Sequence, residues 1–220
     1  MYVKNKNYKQ GFSLIEVLVV VGLMILIFSL GFSSFQEQRR QVKYNESIAH
    51  VLSMIKTAQN HALTSKPVFD ENKNPGEQNS VPKEGYGVYI ERSETPGTST
   101  VILFANTVME KDEEANQYDE GDIIEERYTL DSNVDFMGLS IDQLQPNPTP
   151  ISQNESDKAV IIFKPPLADT TLAVNDHPQK DQLKKLDDLY LEFKRIGTDA
   201  PSQYIHINAI SGIAEINHAP

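Results

Sequence analysis

The sequence contains no cysteine and no tryptophan. The absence of cysteine excludes disulfides, thiolate metal sites and cysteine nucleophiles within the chain. Basic residues are also scarce, since 20 Lys and Arg stand against 31 Asp and Glu and give a formal net charge of −11. Because affinity for nucleic acid depends largely on Lys and Arg that neutralise phosphates, this balance argues against a nucleic-acid partner.

The sequence motifs of common enzyme and metal sites are missing as well. There is no HExxH, no G-x-S-x-G and no phosphate-binding or dinucleotide-binding glycine pattern, and the five histidines are scattered. The acidic runs 110–114 and 119–122 leave calcium as an alternative, but they do not have EF-hand spacing, and a solvated loop is the preferred interpretation. We therefore expect no enzymatic activity, no cofactor and no metal site.

The amino terminus contains a long apolar run instead. Residues 1–11 carry Lys4, Lys6 and Lys9 and no acid, and residues 12–35 are apolar apart from Glu16 and a few serines. As a helix rising ~1.5 Å per residue, residues 12–35 would reach ~36 Å and cross a hydrocarbon core of ~30 Å. The sequence predicts a single-pass membrane protein with a cytoplasmic amino terminus and an extracytoplasmic remainder. A cleavable secretory signal fits less well, because no A-x-A site follows the run.

Glu16 is the one charged residue inside this run. A carboxylate in an apolar segment costs a few kcal/mol on insertion scales, which makes it a candidate functional residue. The alternative is an acid near the membrane edge with no role.

Residues 9–20 (KQGFSLIEVLVV) resemble the class III leader and processing site of type IV pilins and type II secretion pseudopilins. The resemblance implies that a prepilin peptidase cleaves between Gly11 and Phe12 and methylates the new amino group of Phe12. It also implies that Glu16 attracts the positively charged amino terminus of a neighbouring subunit during assembly. The implied partners are other pilin or pseudopilin subunits and an inner-membrane assembly platform, and the implied location after assembly is a filament.

Beyond the apolar run, apolar residues recur at three- and four-residue spacing from Val42 to Leu63, and no proline occurs before Pro67. This pattern predicts that the helix continues as an amphipathic half over residues 36–65. Residues 66–220 contain short alternating runs separated by polar loops, which is typical of antiparallel strands. Turn residues predict hairpins at 95–98 and 209–212.

Together these patterns predict an α+β, pilin-like fold. Its parts are a leader at 1–11, a transmembrane helix half at 12–35, an amphipathic half at 36–65 and a β-sheet head at 66–220, with the amphipathic half packed on the head. Residues 52–63 and 205–216 also resemble the GspH/FimT-type minor pilins. In that group the last strand is often basic, whereas Ala214 and Glu215 stand here, which argues against a role in DNA uptake.

Three functions remain open from the sequence alone. The first is a minor pilin or pseudopilin subunit that assembles through its amino-terminal helix. The second is an adhesin or other ligand-binding module on the same scaffold, and the third is a membrane-anchored ectodomain that does not assemble. The leader and Glu16 favour the first two, because neither would have a use in a plain anchor.

Overall fold

The computed structural model describes residues 13–71, 78–107, 118, 121–141, 158–174, 188–198, 200–208 and 210–218. Within these residues it contains one α-helix and eleven β-strands. Their bounds are α1 Leu14–Leu63, β1 Val68–Phe69, β2 Asn79–Ser80, β3 Gly85–Glu91, β4 Thr100–Asn106, β5 Ile123–Thr129, β6 Val134–Ile141, β7 Lys158–Lys164, β8 Asp169–Val174, β9 Asp188–Arg195, β10 Gln203–Asn208 and β11 Ala214–His218.

The chain divides into two compact units, residues 1–42 and residues 43–220. In the first unit, α1 begins after Ser13, whose main-chain oxygen accepts hydrogen bonds from Glu16 N at 3.0 Å and Val17 N at 3.3 Å. The large apolar side chains from Leu14 to Phe28 are exposed.

Among the residues that the structure describes, no helix combines the length and the apolar character needed to cross a membrane. This finding contradicts the predicted transmembrane half at 12–35 and the predicted single-pass membrane localisation.

In the second unit, α1 contributes one buried face. Tyr44, Ile48, Val51, Ile55 and Ala58 follow each other at spacings of three and four residues and are at most 2% exposed. This spacing places them on a single stripe of the helix. The two ends of the predicted amphipathic face are not buried: Val42 is 62% exposed and Leu63 is 54% exposed.

The strands form two main sheets and a small ribbon, all antiparallel where strands pair. The five-stranded sheet has the order β5-β4-β3-β7-β8, the four-stranded sheet has the order β11-β10-β9-β6, and β1 pairs with β2. The predicted hairpins at 95–98 and 209–212 connect β3 to β4 and β10 to β11, and both pairings are confirmed. The prediction of one head sheet is wrong, because two sheets share the core with α1.

The five-stranded sheet is apolar on both faces. Tyr86, Val88 and Ile90 of β3 belong to the main core that also contains the buried stripe of α1. Tyr89 lies in a second cluster on the other face, with Phe104 and residues of β4 and β7. The alternation along each strand therefore separates two hydrophobic layers. The predicted fold class thus stands corrected both in its transmembrane half and in its single head sheet.

Candidate functional site: the amino-terminal half of helix α1

The candidate site is the apolar helix surface, defined here as the large apolar side chains of α1 from Leu14 to Phe28. Each of them is between 47% and 82% exposed, Val20 being the least and Leu14 the most exposed. They occur on every side of the helix, unlike the single buried stripe of residues 44–62. A helix that is apolar all round is normally buried against a partner. Contiguous exposed apolar surface of this kind marks an interaction site.

Glu16 lies in the first turn of α1 and is exposed. Ser13 precedes the helix and Glu16 is its third residue, which is the Ser-x-x-Glu spacing of a capping box. A carboxylate in the first turn also interacts favourably with the helix dipole, by about 0.3–1 kcal/mol. Glu16 can therefore serve the helix itself as well as a partner, and an experiment has to separate the two roles.

The other two predicted site residues, Gly11 and Phe12, lie outside the described residues. The structure thus places Glu16 at the start of α1 and leaves the predicted cleavage site as a prediction from the sequence.

Sequence reasoning overlooked a basic segment that follows the apolar run. Arg39 and Arg40 are both exposed on α1. One turn later, Lys43 Nζ lies 2.8 Å from Asp131 Oδ2, and the hydrogen bond from Lys43 lowers the pKa of Asp131. No local sequence pattern marks these arginines, which become conspicuous only when the charges of the two units are compared.

A second feature that the sequence did not reveal is a polar cluster between the end of α1 and β5. His61 Nδ1 lies 2.9 Å from Glu125 Oε2, and Lys66 Nζ lies 2.9 Å from Glu125 Oε1. Lys66 Nζ is also 3.3 Å from His61 Nε2. The contact at Nε2 suits an imidazole that accepts there from the ammonium group, whereas Nδ1 lies close to the carboxylate without the geometry of a hydrogen bond.

Burial is the main cause of the lowered pKa of His61. The charge of Lys66 also lowers this pKa, while the nearby charge of Glu125 acts in the opposite direction. Burial, with a contribution from Glu125, raises the pKa of Tyr86 to about 12. The ring of Tyr86 contacts His61 edge-on, at a centroid distance of 5.3 Å. The cluster holds the helix end on the sheet, and its side chains have no arrangement that would activate a nucleophile.

His50 makes a separate contact to the same strand, with Nε2 2.8 Å from Glu126 Oε1. The structure thus places each of the two helix histidines beside a different glutamate of β5. The partners were not predictable because they are remote in the chain.

The described residues contain no group of three or more His, Asp or Glu side chains that could hold a metal ion. Of the two acidic runs, 110–114 and 119–120 lie outside the described residues. Asp122 is described and buried, and its Oδ1 accepts a hydrogen bond from Thr107 N at 3.0 Å. The Asp122 carboxylate is therefore hydrogen-bonded to the main chain of the protein.

A shallow cavity of about 370 Å³ lies beside β6 and the end of β9. It is lined by Pro96, Asp135, Met137, Lys194, Arg195, Ile196, Gly197 and Thr198. Burial raises the pKa of Asp135, and the nearby positive charge of Arg92 partly opposes this increase. The charged lining residues are one acid, Asp135, and two cations, Lys194 and Arg195, so these charges do not select one class of ligand.

Comparison of the chain with family models, with curated proteins and with solved structures gives no match.

Proposed function

We propose that this chain is a minor pilin or pseudopilin subunit of a type IV pilus or a type II secretion-like filament. In this proposal, prepilin peptidase cleaves it after Gly11, and the mature chain assembles through the amino-terminal half of α1. The observation that carries the proposal is the apolar helix surface, which follows directly on a class III leader-like sequence and contains Glu16 as its one charged residue.

The energetics favour association through this surface. Burying one large aliphatic or aromatic side chain is favourable by roughly 1.5–3 kcal/mol relative to exposure. Association costs an estimated 4–15 kcal/mol in lost translational and rotational freedom. The surface has more than enough such side chains to exceed that cost, and copies of the same helix provide a matching apolar partner.

Glu16 gives this association a defined register. An uncompensated carboxylate inside a helix bundle is strongly unfavourable, whereas one paired with a cation is tolerated and selects one arrangement. Cleavage after Gly11 would create a cationic amino group on Phe12, four residues before Glu16. The amino group of one copy would pair with the carboxylate of the next.

The first test is processing. The full-length chain is produced with and without a prepilin peptidase, and its intact mass and amino-terminal peptide are measured. We expect a mature chain that begins at Phe12 only when the peptidase is present. A chain that still begins at Met1 in its presence contradicts the proposal.

The second test separates charge pairing from helix capping at Glu16. Glu16→Ala removes both functions, whereas Glu16→Gln removes the charge and retains a side chain suited to the capping box. We expect both variants to be cleaved normally and both to be impaired in filament assembly. Glu46→Gln, at an exposed position further along α1, is the matched control and should assemble. Normal assembly of Glu16→Gln would show that Glu16 acts as a cap and not as a charge partner.

The third test uses the absence of cysteine. Single substitutions Val17→Cys and Leu18→Cys place one thiol on the apolar helix surface, and Glu46→Cys places one outside it. Disulfides need Cα atoms within about 7 Å. We expect oxidation to link copies through positions 17 or 18 and not through position 46, and equal linking at all three would contradict the proposed interface.

A further inference from the structure

The two units of the chain carry opposite charge. Residues 1–42 have five basic and two acidic residues, a net charge of +3, whereas residues 43–220 have 15 basic and 29 acidic residues, a net charge of −14. Such heads repel one another when copies are brought together. An assembly of this chain therefore needs cations placed where heads approach.

Arg39 and Arg40 are the candidates for this task. They are exposed on α1, and the structure records no ion pair for either of them within the described residues. After removal of residues 1–11 they would be the only basic side chains before Lys43. Two adjacent guanidinium groups are suited to bind carboxylates in a bidentate manner.

The next cation along the chain binds a carboxylate. Residues 39 and 43, and residues 40 and 43, are neighbours on the surface of a helix. Lys43 binds the carboxylate of Asp131 at 2.8 Å, which is an acid of its own head. Arg39 and Arg40, four and three residues earlier on α1, have no ion pair within the described residues.

We propose that Arg39 and Arg40 are a docking surface for carboxylates on the head of a second copy of this chain. The inference rests on the proposed filament function and adds a polar contact to the apolar helix surface. Charge complementarity selects a second copy as the occupant, because residues 43–220 of every copy provide an excess of acids. An anionic lipid headgroup is the competing source of negative charge, and the last experiment below tests whether the arginines bind it instead.

The first experiment converts the contact into a covalent bond. In the variant Arg39→Lys/Arg40→Lys the charges remain, and a water-soluble carbodiimide can couple an amine to a carboxyl group in direct contact. An amide forms with loss of water, and the carbodiimide takes up that water to become a urea. The full-length variant is mixed from isotopically light and heavy preparations, so that mass spectrometry distinguishes links between copies from links within one copy.

We expect mixed-isotope peptides that join position 39 or 40 to an Asp or Glu of residues 43–220. Links confined to one copy, or no links at these positions, would overturn the proposal. This readout does not require filaments, so it decides the inference even if the processing test fails.

The second experiment measures assembly. Arg39→Gln/Arg40→Gln should reduce the assembled fraction at least several-fold at low salt, and Arg39→Lys/Arg40→Lys should restore most of it. Lys56→Gln removes another exposed cation of α1 and should assemble as the wild type does. Equal assembly of the double Gln variant and the wild type would overturn the docking surface while leaving the proposed filament function intact.

The last experiment tests whether the two arginines bind anionic lipid. Binding to vesicles with and without anionic headgroups is measured for the wild type and the double Gln variant. Loss of anionic-vesicle binding in the variant, together with absent links between copies, would assign the arginines to lipid and overturn the proposal. Vesicle binding that is unchanged in the variant, together with the expected links, supports it.

Discussion

The hydroxyl of Tyr44 in α1 donates a 2.8 Å hydrogen bond to the main-chain oxygen of Phe193 in β9. The same hydroxyl accepts a hydrogen bond from Gln203 N at 3.2 Å. Tyr44 is 2% exposed, and burial raises its pKa. One buried hydroxyl thus satisfies two main-chain groups of neighbouring strands and fixes α1 on the four-stranded sheet.

Tyr44→Phe should destabilise the protein by about 1–3 kcal/mol, because it leaves a buried carbonyl and a partly buried amide without their partner. Tyr128→Phe is the matched control, since its half-buried hydroxyl donates to Ser47 Oγ at 3.0 Å. Loss of that contact should cost only about 0.5–1.5 kcal/mol, because the buried Ser47 hydroxyl can rotate to bond a carbonyl of its own helix. Urea unfolding of the full-length chain, followed by circular dichroism, measures both, and a Tyr44 variant no less stable than the Tyr128 variant would refute the assigned role.

The position of His61 predicts an acid-dependent loss of stability. Its folded-state pKa is lowered from the ordinary value near 6.5, mainly by burial. Above pH ~6.5 the imidazole is neutral in both states. As the pH falls below that value, the unfolded chain binds a proton before the folded chain does, so stability decreases until the folded-state pKa is passed.

His61→Gln should remove this slope between pH 6.5 and the folded-state pKa. Lys66→Gln should reduce it, because the charge of Lys66 contributes to lowering the pKa of His61. Unfolding free energies from urea titrations at several pH values, combined with an NMR titration of His61, test both expectations. A slope that persists unchanged in His61→Gln would show that another group titrates there.

The features that sequence predicted well are those determined locally. The three- and four-residue spacing of Ile48, Val51 and Ile55 follows from helix geometry alone, and these side chains are buried. The hairpins at 95–98 and 209–212 join strands that are adjacent in the chain, and turn residues are sufficient to locate them.

The features that sequence missed depend on distant pairings. β3 pairs with β7, although three strands, β4, β5 and β6, lie between them in the chain, and that choice divides the strands between two sheets. Hydrophobic alternation describes a strand but does not name its neighbour. The same limit hid the pairing of His61 with Glu125.

The candidate site contains both features that the sequence reveals and features that it does not. Glu16 could be selected from its motif, since a charge in an apolar run is conspicuous in the sequence itself. The transmembrane prediction rested on counting apolar residues, and the described helix does not meet that requirement. Arg39 and Arg40 were overlooked, because exposed arginines on a helix have no distinguishing local pattern until the charge of each unit is considered.

The close contact between Gly87 and Phe104 gives the last prediction. A Cβ at position 87 would lie 2.5 Å from Phe104 Cζ and 3.1 Å from Ile161 O. Phe104 is completely buried, and Tyr118 packs edge-on against it at a centroid distance of 5.1 Å. The ring therefore occupies the space that a side chain would need and has little freedom to move.

Gly87→Ala should destabilise the protein by about 1–3 kcal/mol through overpacking, more than the roughly 0.5–1 kcal/mol that alanine gains over glycine in a strand. Gly22→Ala is the control, because a Cβ there meets nothing within 4 Å and should not weaken the head. In the double variant Gly87→Ala/Phe104→Leu, the smaller side chain relieves the clash, so the two destabilisations should sum to more than the measured loss. Strict additivity in urea unfolding would mean that the two residues do not constrain each other.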